Sequence, residues 1–305
     1  MLIEDVERYI TLRRSLGFSL ADTPRALAAF VHYATAQGET QVRSATAISW
    51  ATQASTQGSR HRRLQEVALF ARFLHAEDSA HEVPPQGLFY RASTRPAPYI
   101  YTHEELARLL EAAGNLRRQK PSPLRRYIYV MLFGLIAATG LRVSEALNLK
   151  MSDLLPDGVL HIRDTKFGKN RLVPLHPSVV EALDAYLHIR ARFADISDHV
   201  FLSVGGAPLG YTTAHAAFHV ILKKAGIGEG RSRRPRIHDL RHSFATHVLE
   251  QCGAARADVA RDFVALSTYL GHSDIKHTYW YLEATPNLMT DISAAAEALA
   301  AGAVL

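Results

Sequence analysis

A proline-rich segment at residues 83–98, VPPQGLFYRASTRPAP, most constrains how this chain can fold. Proline lacks an amide hydrogen and fixes φ, so it ends helices and is excluded from central strands. The segment also shows neither the helical nor the strand period of apolar residues. It therefore predicts a linker between two separately folded parts of the 305-residue chain.

The part before the linker, residues 1–90, is predicted to be an all-helical domain. Four stretches have the helical spacing of apolar residues. Gly17 and Gly38 mark the ends of the first two, and Thr23 is the predicted N-cap of the second, with Pro24 at its first position. The fourth stretch has one apolar stripe, formed by Leu64, Val67, Ala68, Ala71 and Leu74.

We place the linker at residues 91–101. The part after it, residues 102–305, is predicted to be a domain of helices and strands. Thr102 and Glu105 form a capping-box pattern. The apolar run YIYVMLFGLIAATG is too short to span a bilayer, and it predicts a buried helix that ends at Gly140. The stretch DLLPDGVLHIRDTKFGKNRLVPLH predicts strands with two turns, and the remainder is predicted to be helical. The predicted fold class is mainly α with a small β-sheet or hairpin.

Composition indicates a polyanionic partner. Lys and Arg number 35 against 29 Asp and Glu, a net charge of +6, which favours nucleic acid over a membrane. The single cysteine, Cys252, excludes a disulfide framework and a cysteine-rich zinc site, and it suits a reducing cytoplasm. The N-terminal MLIEDVERYI lacks the apolar run of a signal peptide. We expect a cytoplasmic, nucleoid-associated protein.

Six polar residues stand beside apolar helical or strand stretches. Each alone has an ordinary interpretation as a surface charge, a structural histidine or a packed tyrosine. Their order and spacing give the set its significance, and its members are Arg142, Lys166, His238, Arg241, His272 and one tyrosine of the pair Tyr279 and Tyr281. His238 and Arg241, three residues apart, share a face if the segment is a helix.

This set fits phosphoryl transfer to tyrosine. Arginines can grip the non-bridging phosphate oxygens with forked, always-charged donors. A lysine can protonate the leaving oxygen, and a histidine can accept the proton of the phenol, whose pKa is ordinarily about 10. Because arginines can clamp the charge, no metal and no ATP are expected. The chain has no zinc-protease motif, Walker loop or glycine-rich dinucleotide loop.

Four motifs in the chain resemble those of the tyrosine recombinases, of the phage-integrase and Xer type. They are ATGLRVSEALNL, TKFGKNRLVPLH, HDLRHSFATH and LGHSD. The resemblance covers the whole chain and assigns catalytic roles to the six residues named above. Within it, Lys166 lies five residues before Arg171, and the nucleophile Tyr281 lies nine after His272.

Two positions keep a rival. Tyr279 and Tyr281 are two apart, so only one can face the site from a helix, and the spacing favours Tyr281. Lys169 competes with Lys166 on the same predicted turn. In HDLRHSFATH, we expect Leu240 and Phe244 to hold the helix in the core and His242 and His247 to have structural roles.

The resemblance implies a two-domain C-clamp around duplex DNA, with a helical core-binding domain and a mixed α+β catalytic domain. It implies a homo-tetramer on two DNA sites, alone or with sister recombinases, a 3′-phosphotyrosine intermediate and a Holliday junction. No cofactor, metal, membrane or small-molecule substrate is expected. The arginines predicted to contact the DNA backbone are Arg60, Arg62, Arg63, Arg231, Arg233 and Arg234.

Two alternatives stay open from the sequence. A type IB topoisomerase uses nearly the same chemistry as a monomer, without a second DNA site. A non-catalytic DNA-binding protein would need neither Tyr281 nor Lys166. The segments HTYWYLEATPNLM and RRSLGF resemble the recombinases of mobile elements more than those of chromosome-dimer resolution.

Overall fold

The structure is a computed structural model that falls into two compact units, residues 1–95 and 96–305. The residues that the structure describes are 2–89, 97–116, 123–163, 170–192, 197–203, 205–231, 233–251 and 256–271.

The described part of the first unit contains four helices, as the apolar spacing predicts. They are α1 (Leu2–Ser15), α2 (Thr23–Ala36), α3 (Ser44–Thr52) and α4 (Gln57–His75). The predicted N-cap of α2 is wrong by one residue: Asp22 occupies the cap, and Thr23 lies buried in the first turn. The Thr23 side chain is buried, and Asp22 holds the cap position without a side-chain hydrogen bond to the helix.

The core of the first unit is built on the predicted stripe of α4. Its five members, Leu64, Val67, Ala68, Ala71 and Leu74, are all buried. All of them except Ala68 pack in one cluster with Phe30 of α2 and Trp50 of α3, whose rings meet edge to face at 5.5 Å. Burial of one apolar face on each helix therefore accounts for this unit.

The second unit contains seven helices in its described part. They are α5 (His103–Gly114), α6 (Arg125–Thr139), α7 (Val143–Leu147), α8 (Pro177–Ala191), α9 (Tyr211–Ala225), α10 (Ile237–Glu250) and α11 (Arg256–Leu270). The predicted capping box begins α5: Glu105 N donates to Thr102 Oγ1 at 3.2 Å, and Thr102 N donates to the Glu105 carboxylate at 3.1 Å.

A three-stranded antiparallel sheet lies between α7 and α8 in the sequence. Its order is β1 (Leu154–Leu155), β2 (Val159–Ile162) and β3 (Arg171–Pro174). Leu160 pairs with Val173, and both side chains are buried. The turn between β1 and β2 is the predicted Pro-Asp-Gly turn, whereas residues 164–169 of the second predicted turn lie outside the described residues.

The prediction that the remainder is helical is wrong for the segment between α8 and α9. Isolated bridges pair Leu202 with Pro208 and Lys150 with His199 there. Single bridges of this kind leave no alternating pattern in the sequence, so periodicity does not reveal them. The fold class is otherwise confirmed as mainly helical with one small sheet.

Helix α6 is the centre of the second unit. Leu132, Phe133 and Leu135 have no exposed surface, and the helix packs against α5, α8 and α10. A helix that is apolar on every face is stable only when other elements surround it. Among the described residues, no helix combines the length and hydropathy that crossing a membrane requires.

Gly140 ends α6 in the left-handed conformation, with φ at 62°. A Cβ atom built on it would lie 2.5 Å from Phe244 Cδ1 and 2.9 Å from Leu270 Cδ2. The missing side chain therefore allows the end of α6 to approach the middle of α10 and the end of α11 closely.

Substitution of Gly140 distinguishes the energetic cost of overpacking at this close approach from the cost of backbone strain. Gly226 ends α9 with the same φ of 62° but would place its Cβ in open space, so it is the matched control. We expect Gly226→Ala to lower the free energy of unfolding by about 1 kcal/mol through strain alone. Gly140→Ala should lower it by about 3 kcal/mol, since overpacking adds to the strain. Equal losses in urea denaturation would contradict the close-packing account.

Candidate active site

Three arginines from separate parts of the chain donate to three successive carbonyls at the end of α11. The bonds are Arg171 Nε to Tyr269 O at 3.0 Å, Arg241 Nη2 to Leu270 O at 2.8 Å, and Arg142 Nη2 to Gly271 O at 3.1 Å. The last carbonyls of a helix have no intrahelical donors and carry partial negative charge. Side chains from β3, α10 and the α6–α7 junction therefore meet at the end of α11.

Arg142 occupies the N-cap of α7, directly after the α6 terminus. Its backbone N donates to Glu145 Oε2 at 2.9 Å, and its Nη1 donates to Glu145 Oε1 at 2.7 Å. The guanidinium is thus tied to Glu145 on one side and to Gly271 O on the other. A quarter of the Arg142 side chain stays exposed, so it can reach a ligand without leaving these partners.

Arg241 lies in the first half of α10 and is 1% exposed. Its Nη1 donates to Gly140 O at 2.6 Å, while its Nη2 bonds the end of α11. One guanidinium therefore joins the C-terminal ends of two helices. Both ends attract a cation, because the macrodipole of a helix is negative at its C-terminus.

His238 lies one turn before Arg241 on α10, as the sequence spacing predicts. The ring keeps part of its surface exposed, but protein surrounds the rest. Burial, together with the charges of Arg241, Arg236 and Arg142, lowers the pKa of His238 to about 4. The imidazole is therefore neutral at pH 7, with one nitrogen able to donate a hydrogen bond and the other able to accept one.

Glu145 and Arg171 are site residues that the sequence interpretation missed. Arg171 Nη1 and Nη2 donate to the two Glu145 oxygens at 2.9 and 2.7 Å, a bidentate pair. The Glu145 side chain is 5% exposed. Burial alone would raise the pKa of Glu145, but the bonds and charge of Arg171 and the bonds of Arg142 outweigh it and hold the pKa at about 2.

The remaining residues of HDLRHSFATH support α10, as expected. Leu240 is fully buried, and Phe244 stacks on Tyr269 with ring centroids 5.7 Å apart. His242 is buried with its ring 4.5 Å from that of His238, and His247 stacks on a histidine of α5. Packing therefore fixes the orientation of the helix that presents His238 and Arg241.

The structure brings together three of the six predicted catalytic residues, Arg142, His238 and Arg241. The other three, and both rivals, lie outside the described residues: Lys166, Lys169, His272, Tyr279 and Tyr281.

The arginines predicted to contact the DNA backbone differ in their surroundings. Arg62 and Arg234 are exposed. In the first unit, Arg60 Nε donates to Ala54 O at 2.8 Å, and Arg63 lies over the ring of Trp50 at 4.8 Å.

Arg231 and Arg233 contact the segment before α5, at the start of the second unit. The guanidinium of Arg231 lies 5.2 Å from the centre of the Tyr99 ring, and Arg233 Nη1 donates to Ala97 O at 3.5 Å. Both residues therefore make contacts within the second unit, in addition to any contact with DNA.

The depressed pKa of Glu145 predicts a pH dependence of stability. The carboxylate contributes its full stabilisation above its ordinary pKa of 4.5 and loses it as the pH falls through about 2. Between about pH 5 and about pH 3, we expect the free energy of unfolding of the wild type to fall by about 2 kcal/mol more than that of Glu145→Gln. Parallel pH profiles of the two proteins in urea denaturation would refute the assigned pKa.

Residues 100–287 match the sequence model of the phage integrase family. The match spans more than half of the chain and includes Arg142, His238 and Arg241. The chain belongs to the phage integrase family. The family expected from the four sequence motifs is therefore confirmed.

Two relatives show how far the similarity of this integrase-family chain extends. It is 40% identical over 296 residues to the integrase/recombinase y4rB of Sinorhizobium fredii, with 94% of each chain covered. It is 30% identical over 223 residues to the tyrosine recombinase XerA of Thermococcus kodakarensis, covering 73% of this chain and 69% of the relative.

The fold of this integrase-family chain also occurs in solved structures. The Tn1549 transposon integrase, in complex with transposon right end DNA, matches it with a TM-score of 0.67 at 18% identity. The match covers 98% of this chain and 100% of the other. At this identity the similarity shows the shared fold, which confirms the tyrosine recombinase fold type.

Proposed function

We propose that this protein is a site-specific DNA recombinase that cuts and rejoins strands through a 3′-phosphotyrosine intermediate and a Holliday junction, for the integration, excision or transposition of a mobile element. The observation that carries the proposal is the pair of arginines, Arg142 and Arg241, fixed on successive carbonyls beside a neutral His238. The family match and the relatives named integrase and recombinase support it.

The two arginines grip the non-bridging oxygens of the scissile phosphate. Guanidinium groups stay protonated at all physiological pH values and offer paired donors that match phosphate geometry. Hydrogen bonds to carbonyls already orient Arg142 and Arg241. Once the bound duplex has uncovered Arg241, little further reorganisation is needed as negative charge builds up on the five-coordinate phosphorus. Each such preorganised donor contributes a factor on the order of 10²–10³ in rate.

His238 supplies a neutral imidazole at the same phosphate. With a pKa of about 4 it can donate one hydrogen bond and accept another. A bound phosphate would raise the pKa of His238, since a nearby negative charge favours the protonated ring. A raised pKa would make His238 a stronger base while the phosphate is bound, so that it could accept the proton of the attacking tyrosine.

The remaining roles follow from the sequence motifs. The Tyr281 oxygen attacks phosphorus, its proton passes to a histidine, and an O–P bond forms. The bond to the 5′ oxygen breaks, and Lys166 protonates that oxygen, while His272 adds a hydrogen bond to the phosphate. The phosphotyrosine conserves the bond energy, so a 5′-hydroxyl from the partner strand can reverse the step without ATP.

The burial of Arg241 adds a condition to this mechanism. Its side chain is 1% exposed, whereas a quarter of that of Arg142 is accessible. A phosphate can therefore meet Arg142 first, and contact with Arg241 requires a local rearrangement that uncovers its guanidinium. We propose that binding of the target duplex drives this rearrangement.

We propose the wider assembly from the resemblance and the relatives. Residues 1–90 serve as the core-binding domain and residues 102–305 as the catalytic domain of a C-clamp that acts on DNA of the nucleoid, in the cytoplasm. Exposed arginines such as Arg62 and Arg234 contact phosphates in a salt-dependent manner. The complex of the Tn1549 integrase with transposon DNA supports a DNA partner. The active form is a homo-tetramer on two DNA sites, alone or with sister recombinases.

Covalent trapping tests the proposed reaction and identifies its target. Wild type, Tyr281→Phe and Tyr279→Phe would be expressed beside the native DNA context, and cells stopped in detergent would yield protein-linked DNA for sequencing. We expect adducts at discrete sites that only Tyr281→Phe abolishes, since phenylalanine has no oxygen to attack phosphorus. Loss only in Tyr279→Phe would assign the nucleophile to Tyr279 instead. No adducts in the wild type would refute the proposed strand-cleavage activity.

Deletion of the alanine-rich C-terminal tail tests the proposed tetramer. If the tail docks on a neighbouring subunit, deletion of residues 290–305 should weaken tetramer formation at least tenfold while changing the affinity for a single DNA site less than twofold. Sedimentation and gel-shift titration on the recovered target would measure the two. An equal loss of both would count against docking between subunits.

A further inference from the structure

We propose that Arg171 is a positioning residue of the recombination site, which keeps Arg142 available to the phosphate by occupying Glu145 and fixes the end of α11. This inference rests on the proposed function. Arg171 begins β3, the strand that follows the segment of Lys166 in the sequence. It therefore connects that strand with two other parts of the site.

The contacts of Arg171 fix it in one orientation. Its Nη atoms hold both oxygens of Glu145, and its Nε donates to Tyr269 O at 3.0 Å. The side chain is 12% exposed. A guanidinium with all three nitrogens bonded and little solvent around it is a rigid bridge between α7 and the end of α11.

The charges around Glu145 show why a second arginine matters. One carboxylate lies between two guanidiniums, so the group carries one surplus positive charge. Arg171 forms the bidentate pair with Glu145, while Arg142 bonds only one of its oxygens through the side chain. Without Arg171, Glu145 would neutralise Arg142 alone and draw it away from a phosphate.

Gly271 provides a second, independent contact. Its φ is 67°, and a Cβ atom built on it would lie 3.2 Å from both Cδ and Nη1 of Arg171. Arg171 thus lies against the residue whose carbonyl accepts from Arg142 Nη2. Both protein partners of the Arg142 guanidinium, Glu145 and Gly271, are in contact with Arg171.

Arg171→Gln removes the charge and the bridge together. We expect formation of the covalent protein–DNA adduct to be about 10²-fold slower, the cost of a misplaced or neutralised phosphate donor. Arg171→Lys keeps the charge near Glu145 without the bidentate geometry, and it should recover about tenfold of that loss. Affinity for the target duplex should change less than twofold in both variants.

Glu145→Gln in the Arg171→Gln background distinguishes positioning from general support of the fold. If Arg171 acts by occupying the Glu145 charge, removal of that charge frees Arg142, and the double variant should cleave about tenfold faster than Arg171→Gln. A purely structural role of Arg171 predicts the opposite sign, because a second buried partner is lost.

Arg190 is the matched control. It is 6% exposed and donates to Val200 O at 3.1 Å and to Ser197 O at 2.6 Å, so it is another buried arginine that bonds carbonyls of the same unit. These bonds do not involve the site. Arg190→Gln should therefore lower thermal stability but leave adduct formation by the folded protein unchanged.

The experiment uses purified full-length variants and the duplex recovered by trapping, with adduct formation followed on denaturing gels and DNA binding followed by gel shift. Slow cleavage by Arg171→Gln, partial rescue by Arg171→Lys and suppression by Glu145→Gln support the inference. Wild-type rates in Arg171→Gln, or a double variant slower than the single one, overturn it.

Hydrogen exchange separates failure of this inference from failure of the proposed function. In Arg171→Gln, we expect faster amide exchange in peptides covering residues 141–148 and 266–271, the two segments that the arginine joins. Unchanged exchange in both peptides overturns the bridge, whether or not the wild type cleaves DNA. If exchange is faster in Arg171→Gln but the wild type never forms adducts, the proposed function is refuted and with it the positioning role of Arg171 in cleavage, while the bridge itself holds.

Discussion

The rest of the site depends on how the open carbonyls at the end of α11 are satisfied. Three guanidiniums, from Arg171, Arg241 and Arg142, take three successive carbonyls there. A hydrogen bond to a charged group contributes about 1.5–3 kcal/mol, and its loss leaves a buried carbonyl without a donor. The arrangement therefore serves both stability and placement, since the same bonds that complete a helix end also orient the arginines that we propose to bind the phosphate.

This arrangement concentrates positive charge. Among the described residues, Glu145 is bonded to both Arg142 and Arg171, and Arg241 donates to the carbonyls of Gly140 and Leu270. Burial lowers the pKa of His238, and the positive charges of Arg241, Arg236 and Arg142 lower it further. In the proposed complex, a DNA phosphate adds negative charge beside these guanidiniums, which reduces their mutual repulsion and favours binding. That is how an arginine cluster can supply the charge clamp that phosphoryl transfer needs.

Local signals in the sequence reveal most of the helices but only part of this site. Helical periodicity and the Thr102 capping box predict α5, and Gly140 correctly marks the end of α6. Arg142, His238 and Arg241 are predicted from motif spacing, and the structure brings them together. Arg171 escapes such reasoning, because its partner Glu145 is 26 residues away in the sequence and the contact exists only once β3 packs on α7. The cap at Thr23 fails for a related reason, since burial overrides local preference.

The most direct test of the account is to identify the amino acid that carries the DNA. The wild-type adduct would be formed in the presence of a metal chelator and without ATP, digested with nuclease and protease, and mapped by mass spectrometry. The account predicts a nucleotide joined through its 3′ phosphate to Tyr281, with a free 5′-hydroxyl on the departing strand. A 5′ linkage, a modified residue other than Tyr281, or an adduct that forms only with metal or ATP would contradict it.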